Sequence, residues 1–542
     1  MNKKQLVFPR YFISALMAVF VATGANGQVT KPAPTSTPTP VVTPTPIPTP
    51  LPVETLADLQ AKIRSRVMSA ELRRGRVGIK IVSLNSGKVV FEQDAEKYFM
   101  PASNMKNFTV ATAIEKLTPD FKFVTSVYAL SQPDTNGLIK GDLRIFGRGD
   151  VSISTAFFGT TPTDPETYYK GIDRLADKIV AAGVKRIDGN LIADESYFLG
   201  NPVPGEWEWD DLQWYYGAEV SALPLNDNAV DISVAPGSKD FAPCVVSISP
   251  PNSVFQIINN CTTSWVPVGR SLTVNKKIDR NVLEISGTIP PNGKGFKGSI
   301  SVTHPAELFI ALLKQRLQKK GIVVTGGTRT KLSNSEASPL GLELTRLESP
   351  PFVEIAAKTM KPSQNLYTET ILWTLGEVLH KGEGPEELSV NGTITRQESS
   401  QLGLRFVNQF LESIGIPSDG IIQHDGSGLS RHNLITPAAV VRLYTYMAKE
   451  SKYSQAWRDA LTIAGVDGTL KNRMVGTRAA NNLRGKTGTI DQVSALSGYV
   501  TTAAGEQLVV SFIVNGVNTG RDRTSMMDDI VVNLANFSGR VD

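Results

Sequence analysis

Ser103-Asn104-Met105-Lys106 and Lys486-Thr487-Gly488 stand towards opposite ends of a 542-residue chain, with Ser363-Gln364-Asn365 between them. A serine hydroxyl attacks an amide only when a base takes its proton. A lysine three residues further along a helix lies on the same face and can be that base once its own pKa is lowered. Each fragment alone is weak: Ser363-Gln364-Asn365 also reads as a capped helix start, and Lys486 as a strand-edge lysine beside a turn. All three in this order, each in a fitting local setting, describe one candidate acyl-transfer site.

The flanking patterns supply those settings. After Pro101, residues 102–117 read as a helix whose first turn carries Ser103 and Lys106 on one face, in the positive field of the helix start. Helical patterns at 352–360 and 366–379 are separated by Lys361-Pro362, which leaves Ser363-Gln364-Asn365 at an interhelical break. Residues 483–489, 495–500 and 507–514 read as strands, with Lys486 and Thr487 on the first, and 525–537 as a closing helix. At the other end, Leu56, Leu59, Ile63 and Val67 recur at helical spacing, and strands at 77–81 and 89–91 flank an Asn85-Ser86-Gly87 turn.

From about 123 to 350 the chain contains none of the three motifs. It consists of short strands and turns, broken by helical patterns at 169–182 and 306–320, with no repeat period. This stretch reads as an insertion. It holds the only cysteines, Cys244 and Cys261, which read as a local disulfide contributing about 3 kcal/mol in an oxidising compartment; two buried thiols are the alternative. Two cysteines without partner histidines make a poor metal site, and no metal is expected.

The N-terminus fits export. Lys3, Lys4 and Arg10 precede the apolar stretch 11–22, and Ala25-Asn26-Gly27 offers small residues for cleavage, so 1–27 reads as a signal peptide. Residues 28–52 form a Pro/Thr-rich linker; extended at about 3.1 Å per residue, it would reach on the order of 70 Å. No later run is long and apolar enough to span a bilayer, so the chain is expected to be peripheral to a membrane at most. The net charge of +5 falls to +2 (5 − 3) beyond residue 27, and basic residues are scattered among acids, which excludes a nucleic-acid footprint. A phosphate-loop reading of Gly485-Lys486-Thr487 fails because Ala480 stands where a glycine is required. A histidine-dependent triad is allowed by count, yet no Gly-x-Ser-x-Gly elbow points to one.

With these motifs and the long spacing between the first and second, the chain resembles the low-molecular-mass, class C penicillin-binding proteins, the D-alanyl-D-alanine carboxypeptidase/endopeptidase family. Arg186-Ile187-Asp188-Gly189-Asn190 and the segment Asp425-Gly426-Ser427-Gly428-Leu429-Ser430-Arg431-His432-Asn433 resemble family segments too. The resemblance implies an α/β (α+β) fold, a β-lactamase-like transpeptidase domain with a five-stranded sheet between helices and a long β-rich two-domain insertion. The catalytic domain would comprise 53–122 and 350–542, inserted domain II 123–198 and 308–349, and inserted domain III 199–307.

Carried over residue by residue, the resemblance makes Ser103 the acylated nucleophile and Lys106 its base, with Lys106 lowered by about three pKa units, roughly 4 kcal/mol, through burial and the second cation Lys486. Ser363 would relay the proton to the leaving amine, and Asn365 would bond Lys106 and the substrate amide. Backbone N–H groups of Ser103 and Thr489 would form the oxyanion hole. Lys486, with Thr487, Gly488 and Thr489, would hold the terminal carboxylate of D-alanine or of penicillin. Asp150 and Arg431 would form a subsite for the head group of a diaminopimelic acid side chain. Gln364, where class A β-lactamases have aspartate, favours a peptidase. No cofactor is implied. The expected partners are peptidoglycan stem peptides, with β-lactams as covalent inhibitors, and the expected location is the periplasm, the cell envelope or the medium. The alternatives are a catalytically silent wall-binding sensor and a secreted β-lactamase.

Overall fold

In the computed structural model the described residues are 54–159, 164–265, 271–332, 341–380, 388–390, 393–395 and 397–541. The expected signal peptide and linker, 1–52, lie outside them. Alternating apolar positions build a central sheet, in the order Val89–Gln93, Arg76–Ser83, Gln507–Asn515, Val493–Thr501, Arg484–Ile490, Thr462–Ile463, with every neighbouring pair antiparallel. The sheet has six strands where five were expected; the extra one is a two-residue edge pairing only with Arg484 and Gly485, too short for a periodicity to reveal.

The strands alternate between two cores, as the pleat requires. Leu508, Val510, Phe512 and Val514 face one core with Leu59, Ile63, Met526 and Ile530 from the helices Leu56–Val67 and Gly520–Asn536. Val509 and Ile513 face the other, with Phe108, Ile355, Leu366 and Trp457. The last helix starts five residues before the apolar pattern predicts, because its first turn, Gly520-Arg521-Asp522, is polar and carries no periodicity. Helices Ser399–Ser413, Pro437–Lys449 and Ser454–Ala460 complete the second layer and were not foreseen.

The insertion leaves and returns through paired strands. Val124–Ala129 lies antiparallel to Leu342–Glu348, with Val124 opposite Glu348, so the ends of the insertion meet without disturbing the helices on either side. These two strands close a five-stranded sheet whose other members are Leu143–Phe146, Leu191–Asp194 and Thr328–Lys331. Helices Lys170–Ala181 and Pro305–Lys319 pack on it through Ile172, Leu175, Phe309 and Leu313. Three smaller sheets extend the same hydrophobic cluster as far as Val230, Leu283 and Ile300. A disulfide joins Cys244 to Cys261 across a loop of 17 positions. Among the described residues no helix is long and apolar enough to cross a membrane.

Candidate active site

The turn carrying Ser103 is a 3-10 segment, Ala102–Met105, running into the helix Lys106–Lys116, rather than one continuous α-helix. At three residues per turn, side chains at i and i+3 eclipse. Lys106 Nζ accordingly lies 3.0 Å from Ser103 Oγ. Its other two contacts are carbonyl oxygens, Asn365 Oδ1 at 2.6 Å and Ser427 O at 2.8 Å. Two amine protons go to those acceptors, which leaves the nitrogen lone pair for the serine proton. Asn365 is oriented for this by its own amide, which donates to Tyr216 O at 2.9 Å.

The Lys-Thr-Gly strand is clamped against the Ser103 turn. Asn104 Nδ2 donates to Lys486 O at 3.1 Å, and the Ser497 hydroxyl bonds Asn104 Oδ1 from the neighbouring strand. A Cβ at Gly488 would lie 2.6 Å from Pro101 O and 3.1 Å from both Ser103 N and Asn104 N. At Gly428 (φ 83°) it would lie 1.9 Å from Ala102 O, so the 425–428 loop presses on the same turn. We expect Gly488→Ala to push the strand off the serine and lower penicillin acylation by about 10²-fold, the usual result of a 1 Å misplacement. An acylation time course checks this, and an unchanged rate would mean that the close approach is dispensable.

Lys486 Nζ donates to Ser363 Oγ and to Thr487 O, each at 2.8 Å. Thr487 Oγ1 donates to Thr469 Oγ1 at 2.6 Å, and Thr489 is exposed at the strand end. Beyond Gly485, among the described residues, no strand pairs with the second edge of this strand.

Both lysines are 0 % exposed. Burial pushes the Lys106 ammonium down to about 7, against the opposing pull of Asp425 and Glu369. Burial is the leading cause for Lys486 as well, which burial and then the neighbouring Lys106 hold well below the usual lysine range. Glu369 and Asp425 carried no motif signal of their own, although Asp425 lies in a family-like segment. Asp425 accepts from Gly428 N, Ser430 N, Asn433 Nδ2 and Trp207 Nε1. Glu369 accepts from Gly426 N and Ser427 N at 3.0 and 2.7 Å, fixing the loop just before the Ser427 carbonyl that binds Lys106. Its carboxyl is pushed up by burial and then by Asp425.

The structure gives Asp150 and Arg431 separate partners. Asp150 is wholly buried, its carboxylate accepting from Ser152 N, and burial pushes it up to about 6. Arg431 pairs with Glu208 at 3.0 Å and bonds Asp491 O at 3.1 Å. Burial pushes the nearby Asp211 carboxyl, which accepts from Tyr216 OH at 3.1 Å, up to about 6, with the Arg431 charge opposing the rise. Gln364 turns away from Lys106, its Nε2 donating to Asp227 in the insertion.

Residues 59–537 of the chain match the D-Ala-D-Ala carboxypeptidase 3 (S13) family. The chain belongs to that family. As an S13 member it is a serine-type D-Ala-D-Ala carboxypeptidase. It is 29% identical over 500 residues to a D-alanyl-D-alanine carboxypeptidase of Actinomadura sp. (strain R39), covering 89% of this chain and 86% of that one. It is 26% identical over 467 residues to D-alanyl-D-alanine carboxypeptidase DacB of Haemophilus influenzae, covering 85% and 90%. The fold of this S13 carboxypeptidase matches a crystal structure of penicillin binding protein 4 (dacB) from H. influenzae with a TM-score of 0.72 at 23% identity, over 88% of this chain and 99% of that one. A second structure of that protein, complexed with a β-lactam, matches with a TM-score of 0.67 at 22% identity, over 87% and 98%.

Proposed function

We propose that Ser103 attacks the carbonyl between the last two D-alanines of a peptidoglycan stem peptide, with Lys106 taking its proton. The observation that carries this is the Lys106 amine: fully buried, titrating near 7, and set between two carbonyl acceptors and one hydroxyl. The C–N bond breaks as the proton passes to the leaving D-alanine amine, for which Ser363, bonded to Lys486, is the relay. Backbone N–H groups of Ser103 and Thr489 would stabilise the oxyanion, a contribution typically worth about 2.7–4 kcal/mol per donor. Water then releases the acyl peptide from Ser103.

The free edge at Lys486 to Ile490 suits an extended peptide added as a further strand. Its terminal carboxylate would meet Lys486 and the hydroxyls of Thr487 and Thr489, and an anion there restores the Lys486 charge that burial disfavours. A β-lactam presents the same carboxylate beside a strained amide and would trap Ser103. The same chemistry would open D-alanyl cross-links. Arg431 with Glu208 and Asp211 offers the paired charges an amino-acid head group requires, in place of the Asp150–Arg431 pairing. The signal-peptide reading of 1–27 and the disulfide fit an exported protein of the cell envelope.

The test is intact-protein mass spectrometry after penicillin, followed by peptide mapping and by assay of D-alanine release from a diaminopimelate-containing pentapeptide. A persistent adduct on Ser103 with D-alanine release is expected. An adduct without release would replace this reading with the silent sensor, and rapid loss of the adduct with penicillin turnover would replace it with a β-lactamase.

A further inference from the structure

The Ser363-Gln364-Asn365 turn is held from outside the two helices it joins. Ser363 sits at φ 67°, a left-handed backbone that a non-glycine residue keeps only where its surroundings over-determine it. From its own helices the turn receives two anchors, Gln364 N donating to Thr359 O at 2.9 Å and Thr368 Oγ1 donating to Gln364 O at 2.8 Å. Lys486 and Lys106 reach Ser363 and Asn365 from the site itself, and the insertion adds three more. Gln364 Nε2 donates to Asp227 Oδ2 at 3.1 Å, Tyr367 OH to Asp227 Oδ1 at 2.5 Å, and Asn365 Nδ2 to Tyr216 O at 2.9 Å.

Asp227 is itself rigidly held. It is the middle of three consecutive left-handed residues, Asn226, Asp227 and Asn228, at φ 48°, 63° and 50°, made of the types that tolerate this conformation best. Asn226 is tied to Thr155 N and Tyr168 O, and Asn228 to Leu225 N and Glu219 O. Ser154 Oγ adds a third donor to the Asp227 carboxylate at 2.6 Å. A short polar turn of the insertion thus grips the second motif through side chains on both sides of Asn365, the residue that accepts from Lys106.

We propose that Asp227 is a positioning residue of the acyl-transfer site: through Gln364 and Tyr367 it holds Ser363 and Asn365 in register with Lys486 and Lys106, so that the insertion completes the active site. The proposal rests on the acyl-transfer reading above. Asp227 touches neither lysine and takes no proton. Its removal should slow the chemical step and leave ligand capture nearly unchanged.

The experiment is penicillin acylation of the full chain, with the limiting rate separated from the half-saturating concentration. Asp227→Gly keeps the left-handed backbone and deletes the carboxylate; we expect the limiting rate to fall by about 10²-fold with the half-saturating concentration within about threefold. Asp227→Asn should recover most of that loss. Its carbonyl still accepts from the two hydroxyls, and its amide can donate to Gln364 Oε1, a buried atom without a partner, once that amide turns over. Should Asp227→Gly fail to fold, Gln364→Met decides, with at least about a tenfold lower limiting rate expected from breaking the same link. Wild-type rates in the folded variant, or an equal loss in Asp227→Asn, would overturn the proposal. A wild-type protein that forms no adduct would instead overturn the acyl-transfer reading.

Discussion

Ser103→Ala is expected to show no penicillin mass increment and to release D-alanine about 10⁶-fold more slowly than the wild type, the scale on which serine hydrolases lose turnover with their nucleophile. The substitution removes one oxygen from a turn whose backbone is held by other groups. Asn104 bonds Lys486 O, and Gly428 packs on Ala102 O, so the site around residue 103 should keep its shape. Ser363 makes the experiment decisive, because its hydroxyl also contacts a buried lysine, at 2.8 Å from Lys486 Nζ. An adduct that persists in Ser103→Ala and maps to Ser363 would transfer the nucleophile role there. Complete loss assigns it to Ser103.

Lys106→Met carries the second largest effect. Methionine nearly matches the volume of the lysine stem and removes the amine, so penicillin acylation should fall by about 10³-fold, within the range typical of a lost general base. The variant loses partners for Asn365 Oδ1 and Ser427 O, about 1–3 kcal/mol for each buried acceptor left unsatisfied, while escaping the burial of an ionisable group. A cooperative melt should survive. The pH profile separates a base from a structural lysine. In the wild type, Lys106 is protonated below about 7 and cannot accept the serine proton, so acylation should fall about tenfold per pH unit below that point. In Lys106→Met that limb should vanish. A limb persisting at the same pH would assign the titration to another group, Glu369, whose carboxyl burial pushes up, being the candidate near Lys106.

The three motifs were legible because their residue types and order admit few other uses, and the helices on which two of them sit announce themselves through apolar spacing and through Pro362. The strands Arg484–Ile490, Val493–Thr501 and Gln507–Asn515 were legible for the same reason. Glu369 was not, because an acid within an apolar helical run gives no sign of accepting two backbone N–H groups from a loop beginning at Gly426. Tyr216 contributes only a carbonyl oxygen, which every residue has. Asp150 drew attention through its family-like neighbours, yet its burial could not be read from them.

The sequence by itself determined which groups the proposed chemistry calls on, the class of reaction they suit, and the layered α/β architecture that carries them. Those depend on side-chain chemistry and on short-range periodicity, both local properties. Only the tertiary structure decided what surrounds those groups: that Lys106 is wholly buried, which brings it down to about 7, that Arg431 pairs with Glu208 while Asp150 is buried against Ser152, and that the insertion grips Gln364 and Asn365. Desolvation and hydrogen-bond partnership are set by atoms brought together from distant parts of the chain, and a one-dimensional pattern does not record that convergence.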